Sequence, residues 1–188
     1  MKHLTAYVFL MLLLLSGCGA QLSPDEAQES IQVIAMDTAM LITTYGERSP
    51  AAAYACEDVI RDLEAKLSRT VEDSEVSRLN AAGGGAVEIG WDAYSLLERA
   101  AAYSSSTGGA FDITVAPVVS AWGFTEDSFR VPSQAELDRL LPLVDSSQVS
   151  VAPSLASNGD GPRATVTLGP GQAIDLGGIA KGYAADKL

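Results

Sequence analysis

Cysteine and histidine are almost missing from this chain: there are two cysteines, Cys18 and Cys56, and one histidine, His3. With so few soft ligands no cysteine-based metal cluster can form, and serine-hydrolase triads, Cys-His pairs and His-ligated zinc are excluded once His3 is removed with a leader segment. Positive charge is also scarce. Twelve Lys and Arg face 24 Asp and Glu, a formal net charge of −12, without any long basic cluster. That balance argues against nucleic acid, or anionic lipid held by a charged patch, as a partner. A phosphate-bearing ligand would have to be met by local devices: a bound cation, a lysine or a helix N-terminus.

The one long apolar run, Leu4 to Leu15, follows Lys2 and His3 and ends in Leu15-Ser16-Gly17-Cys18. About a dozen residues are too few to cross ~30 Å of hydrocarbon but suit the apolar region of a signal peptide. Small residues before a cysteine form a lipobox, so residues 1–17 are expected to be cleaved and Cys18 to carry the lipid. The protein is then exported and membrane-anchored, facing the periplasm or cell exterior. Residues 18–30, polar and acidic, are expected to be a tether, with no disulfide available to Cys56. Residues 31–188 are left as a single domain.

Ile31 to Tyr45 is β-branched and apolar, one long strand or two short ones ended by Gly46. Ser49 and Pro50 supply an N-cap and a helix start, and Ala53, Cys56, Ile60, Leu63 and Leu67 recur at helical spacing, so Cys56 is a core residue. A helical turn over Ser74–Asn80, a short strand Ala86–Ile89 and a helix over Asp92–Ser104, with Leu96, Leu97, Ala100 and Ala101 buried, follow. The Ser133–Glu136 capping box opens a third helix whose apolar face is Leu137, Leu140 and Leu141. Strands are expected at Val149–Ala152 and Arg163–Leu168 around a turn at Asn158–Pro162, and a last short strand leads through a glycine turn into a helix. The mixture is α+β.

Three segments carry candidate chemistry. In Thr107–Pro117, running on to Trp122-Gly123-Phe124, two glycines permit close backbone approach to a flat ligand. Phe111 offers a ring there, and Asp112 and Thr114 polar contacts; a helix end followed by a buried strand would look much the same. In Ala173–Asp186 a strand ends at Asp175, Gly177 and Gly178 turn the chain, and a helix begins with Lys181 one turn in. This suits a diphosphate, or is an ordinary strand-to-helix turn; it is neither a Walker motif nor a dinucleotide fingerprint. Met36-Asp37-Thr38-Ala39-Met40 says little alone, since a strand methionine is usually core.

Together the segments resemble the FAD:protein FMN transferases, the ApbE-type flavin transferases. Met36 to Met40, Asp73-Ser74-Glu75-Val76-Ser77-Arg78-Leu79-Asn80, Gly108 to Phe124 and Asp175 to Asp186 occur in the family's order. The resemblance implies an α+β, T-fold-like domain, a mixed sheet with packed helices, truncated at its C-terminus. It implies flavin contacts at Met36, Ala110, Phe111, Asp112 and Asp175 and a Mg²⁺ ligand in the backbone carbonyl of Gly178; Lys181, one turn into the helix, either holds the diphosphate or is a solvated helix residue. The implied reaction is Mg²⁺-assisted transfer of FMN from FAD to a threonine or serine of target flavoproteins, with AMP leaving. An FAD-binding lipoprotein without turnover and a Mg²⁺-dependent FAD pyrophosphatase are the alternatives.

Two positions depart from the pattern. Asp37 stands where glycine is usual, and the stacking aromatic after Ser-Arg falls on Thr70, so that either flavin affinity is lower or Tyr103, Phe111 or Trp122 takes over. Family members also continue well past Leu188 with further metal ligands, so this stretch by itself is expected to hold part of an active site and to be inactive.

Overall fold

The structure, a computed structural model, describes residues 27–124, 128–154 and 162–188. The expected signal peptide, Cys18, most of the tether and the turn at 158–161 lie outside the described residues. Strands β1 (Gln28–Ala35) and β2 (Thr38–Tyr45) form an antiparallel hairpin, Gln28 opposite Tyr45 and Ala35 opposite Thr38. The first three residues of β1 fall in the stretch expected to be tether; a full ladder partner on β2 orders them. Met36 and Asp37 are the two-residue turn, with φ of 51° and 55°. Such a hairpin loop wants positive φ at both positions, where aspartate is tolerated and methionine is costly. The carboxylate of Glu64 accepts the Met36 N–H at 2.6 Å and holds the turn.

Helix α1 (Ser49–Leu67) packs under this hairpin, Ile60 meeting Val33, Ala35 and Ile42 in a small core that Cys56 also touches. Its cap is Arg48 rather than Ser49, whose side chain is buried and whose carbonyl accepts from the Thr44 hydroxyl at 2.6 Å. Helix α2 (Glu75–Ala81) is capped by Ser74, which accepts from Ser77 N–H and donates to the Ser68 carbonyl. β3 (Val87–Ile89) leads into α3 (Trp91–Ser106), which buries Ala93, Leu96, Leu97, Ala100 and Ser104. Ala101, expected in that stripe, is exposed because Ser104 continues the buried row instead.

After Gly109 comes no strand but a turn of 3-10 helix, Ile113–Val115, and α4 (Ala116–Ala121). Helix α5 (Gln134–Leu140) starts at Ser133, which accepts from Glu136 N–H; it buries no residue, and Leu141 is 53% exposed. The Glu136 carboxylate takes the Arg130 guanidinium at 2.6 and 2.7 Å instead of closing the capping box. β4 (Ser150–Ser154) and β3 both pair antiparallel with the central β5 (Arg163–Thr167). The α+β class stands, with its described strands in two antiparallel sheets rather than one mixed sheet.

The last helix, α6 (Gly177–Lys187), closes the main core with Ala180, Tyr183 and Ala184 against Leu63, Leu67, Leu79 and Leu96. Each such aliphatic side chain contributes roughly 1.5–3 kcal/mol when removed from water. Around Tyr183 a polar clamp ties three helices: its hydroxyl donates to Asp92 at 2.7 Å, and Lys66 pairs with the same carboxylate at 3.2 Å. Burial works against the Asp92 charge, but these two donors outweigh it and hold the carboxyl below its ordinary range.

Candidate functional site

The segment before α6 belongs to neither described sheet. Its backbone is held by a side chain: Asn80 donates to the Ile174 carbonyl at 2.9 Å and accepts from Ile174 N–H at 2.7 Å, imitating a strand neighbour. Asp175 N–H then bonds the Ile113 carbonyl at 2.8 Å. The expected short strand is therefore replaced by an amide clamp, which leaves Asp175 fixed at the entry to α6. One of its oxygens accepts Gly177 N–H at 2.7 Å and the other meets Arg69 Nε at 2.9 Å. Arg69 reaches on to the Ser120 hydroxyl at 2.9 Å, joining the loop after α1 to α4.

Two cavities meet at this point, and Asp175 and Gly177 line both. The first, about 480 Å³, lies between the hairpin turn and α6, walled by Met36, Asp37, Glu64, Thr70, Phe124 and Lys181 among others. The second, about 420 Å³, is lined by Ala110, Phe111, Asp112 and Gly178 with Val115, Val119 and Val144. Each volume is in the range of small-molecule sites, and the two cavities share a polar wall at Asp175 and Gly177. At the N-terminus of α6 the N-cap residue, Leu176, makes no side-chain cap, and Asp175 takes the Gly177 N–H; the backbone dipole there favours negative charge.

All six expected ligand residues, Met36, Ala110, Phe111, Asp112, Asp175 and Lys181, line one lobe or the other, and Gly178 lines the second. Their immediate roles differ. Asp112 spends both carboxylate oxygens internally, accepting from Thr114 N–H and hydroxyl at 2.8 and 2.6 Å and from Ser146 N–H at 2.9 Å. Burial opposes its ionisation, yet the Thr114 and Ser146 bonds prevail and lower its pKa below 3.8. It shapes the lobe by fixing the loop. Phe111 rests its ring edge against Gly178, where an added Cβ would stand 3.2 Å from the ring.

The residues present do not make a magnesium site by themselves. A hard cation of this kind takes about six oxygens, whereas among the described residues no group of three acids, histidines or cysteines is placed to hold a metal. Asp175 is committed to Arg69 and Gly177.

The sequence left the replacement for the aromatic at Thr70 open among Tyr103, Phe111 and Trp122. Tyr103 packs edge-on to Phe111 at 6.0 Å, Phe111 serves the second lobe, and Trp122 lies parallel to Phe124 at 6.0 Å. Among the described residues the aromatic lining the Thr70 lobe is Phe124. Arg69, Glu64, Asn80 and Phe124 are not among the expected ligand residues; Arg69, Asn80 and Phe124 carry a signal in the sequence only through the motifs that contain them, and Glu64 carries none.

The domain is thus α+β, with two cavities that share a wall at the N-terminus of α6. Residues 36–188 match the ApbE family, and the chain belongs to it. It is 31% identical over 177 residues to the FAD:protein FMN transferase of Treponema pallidum, covering 92% of this chain and 48% of the relative. It is also 31% identical over 137 residues to the Haemophilus influenzae FAD:protein FMN transferase, covering 70% and 38%. The ApbE protein of Thermotoga maritima superposes with a TM-score of 0.74 at 32% identity, over 86% of this chain and 51% of that one. The Vibrio cholerae flavin transferase ApbE shares the fold, with a TM-score of 0.72 at 22% identity over 86% of this chain and 52% of that one. The chain spans about half the length of these relatives or less.

Proposed function

We propose that the whole protein transfers FMN from FAD to a threonine or serine of target flavoproteins and releases AMP. The observation that carries this reading is the juncture of two lobes at Asp175 and Gly177, built from the same motifs that match the family. In the reaction the acceptor hydroxyl oxygen bonds to the phosphorus of the FMN half, the bridging P–O bond breaks, AMP departs with the bridging oxygen, and the hydroxyl proton passes to solvent. This chain's contribution is positional. The α6 N-terminus and Lys181 hold the diphosphate, the Arg69–Asp175 pair keeps the waist open at one width, and Met36 and Phe111 bound the two lobes.

Charge supports a magnesium requirement. The first lobe is lined by three carboxylates, Asp37, Glu64 and Asp175, against two cations, Arg69 and Lys181. A diphosphate adds further negative charge to a chain already at −12, so transfer in this acidic setting calls for a cation, to which Gly178 would offer its carbonyl. The reading includes export and anchoring through lipid on Cys18, which sets the enzyme beside exported flavoproteins.

The test is to incubate the full-length protein with FAD, Mg²⁺ and an exported flavoprotein acceptor and to count products. One AMP per covalently bound flavin, with flavin fluorescence on the acceptor band of a denaturing gel, is expected. FMN and AMP in solution without a labelled acceptor would make it a pyrophosphatase, and intact bound FAD a carrier.

A further inference from the structure

We infer that Phe124 is the stacking surface for one flat ring system of the bound dinucleotide, in place of the aromatic that Thr70 cannot provide; the inference rests on the proposed use of FAD. Threonine offers no π-face, yet Thr70 and Phe124 line the same lobe. Phe124 is 54% exposed, unusually open for a ring in a cavity wall, and Phe129 at 6.1 Å is 69% exposed. Trp122 lies parallel to Phe124, with ring centroids 6.0 Å apart and an angle of 6° between the rings. A planar ligand in that cavity, laid against Phe124, would add to these ring contacts, an arrangement favoured by dispersion and ring quadrupoles and indifferent to the ligand's edge groups.

The backbone is shaped to present this ring. Gly123 has φ +73°, a conformation that side chains resist, and a Cβ there would lie 2.2 Å from the Ser128 carbonyl oxygen. Only glycine lets the chain fold so tightly at this point. The turn is fastened by Gly123 N–H to the Ser120 carbonyl at 2.9 Å and by Arg130 N–H to the Trp122 carbonyl at 3.1 Å. Ser120 in turn accepts from Arg69, so the residue next to Thr70 helps to place the loop that carries the substitute ring. Phe124 is a positioning residue that touches substrate without chemistry of its own.

The experiment compares the full-length protein with Phe124→Ala, Phe124→Leu, Phe124→Trp and the double variant Phe124→Ala/Thr70→Tyr, titrating FAD, FMN and ADP separately. Phe124→Ala and Phe124→Leu should each weaken FAD at least tenfold, about 1.4 kcal/mol, while Phe124→Trp and the double variant stay within about threefold of the parent. Loss confined to FMN, with brighter emission of the bound flavin because a quenching ring has gone, identifies the isoalloxazine as the stacked ring; loss confined to ADP identifies adenine. Unchanged FAD affinity in Phe124→Leu, or equal loss for FMN and ADP, overturns the inference while leaving the proposed function intact. A parent that binds no FAD overturns both.

Discussion

Replacing Asp175 by alanine removes the group on which the two lobes meet, and the structure sets the size of the loss. Its carboxylate holds Arg69 Nε at 2.9 Å and Gly177 N–H at 2.7 Å, with side chains 23% and 13% exposed for Asp175 and Arg69. Breaking a fully buried pair costs roughly 3–5 kcal/mol and an exposed one under about 1, so this sheltered but not sealed pair is worth about 2. Losing the acceptor for the first N–H of α6 adds about 1 kcal/mol, as for a helix cap. Asp175→Ala should therefore cost about 2–3 kcal/mol in urea unfolding of the full-length protein, a drop of roughly 5–10 °C in Tm. Asp175→Asn keeps an acceptor for Gly177 and should lose only about half as much. FAD affinity should fall at least tenfold in the alanine variant, about 1.4 kcal/mol or more. If both variants unfold within ~0.5 kcal/mol of the parent, the ion pair does not hold the waist and the reasoning fails.

Asp37→Gly should raise stability by about 0.5–1 kcal/mol, since its φ of 55° favours glycine; a lower urea midpoint would show that the aspartate side chain supports the turn. The Asp112 carboxyl has its pKa lowered, so the stability it contributes is present above its ordinary 3.8 and is lost as pH falls through the lower folded value. Asp112→Asn should accordingly lower Tm at neutral pH and flatten its fall below pH 4, and a parallel shift at every pH would refute this. Gly123→Ala should cost about 1–3 kcal/mol and weaken FAD; unchanged values would mean that the Trp122–Arg130 turn relaxes freely. Cys18→Ser should move the protein from membranes to the soluble exported fraction and abolish labelling by a fatty-acid analogue, whereas an unlabelled, membrane-bound parent would end the anchor reading.

The long helices were legible because their apolar residues repeat at helical spacing and decide which face is buried: Ile60, Leu63 and Leu67 in α1, Leu96, Leu97 and Ala100 in α3. The hairpin was half legible. Its β-branched strands show in composition, but the reversal at Met36-Asp37 has no asparagine-glycine signal and depends on Glu64, a residue 28 positions away. Ala173–Asp175 looked like a strand because it is apolar, yet its partner is the Asn80 amide, 94 positions from Ile174. The site residues were legible only as motifs. That Phe124 faces the Thr70 lobe, and that Arg69 reaches Asp175, follow from how α1, α4 and α6 pack, which local spacing does not encode. Asp112, expected to offer a polar contact beside Phe111, also fastens the backbone of Thr114 and of Ser146, a partner 34 positions away that local spacing does not show.

The most direct measurement is a structure of the full-length protein with FAD bound. The diphosphate is expected at the Gly177 end of α6, beside Asp175 and Lys181, with one ring system against Phe124 and the other end of the ligand in the lobe of Ala110 and Phe111. FAD bound elsewhere, with the Arg69–Asp175 waist empty of ligand, would contradict it.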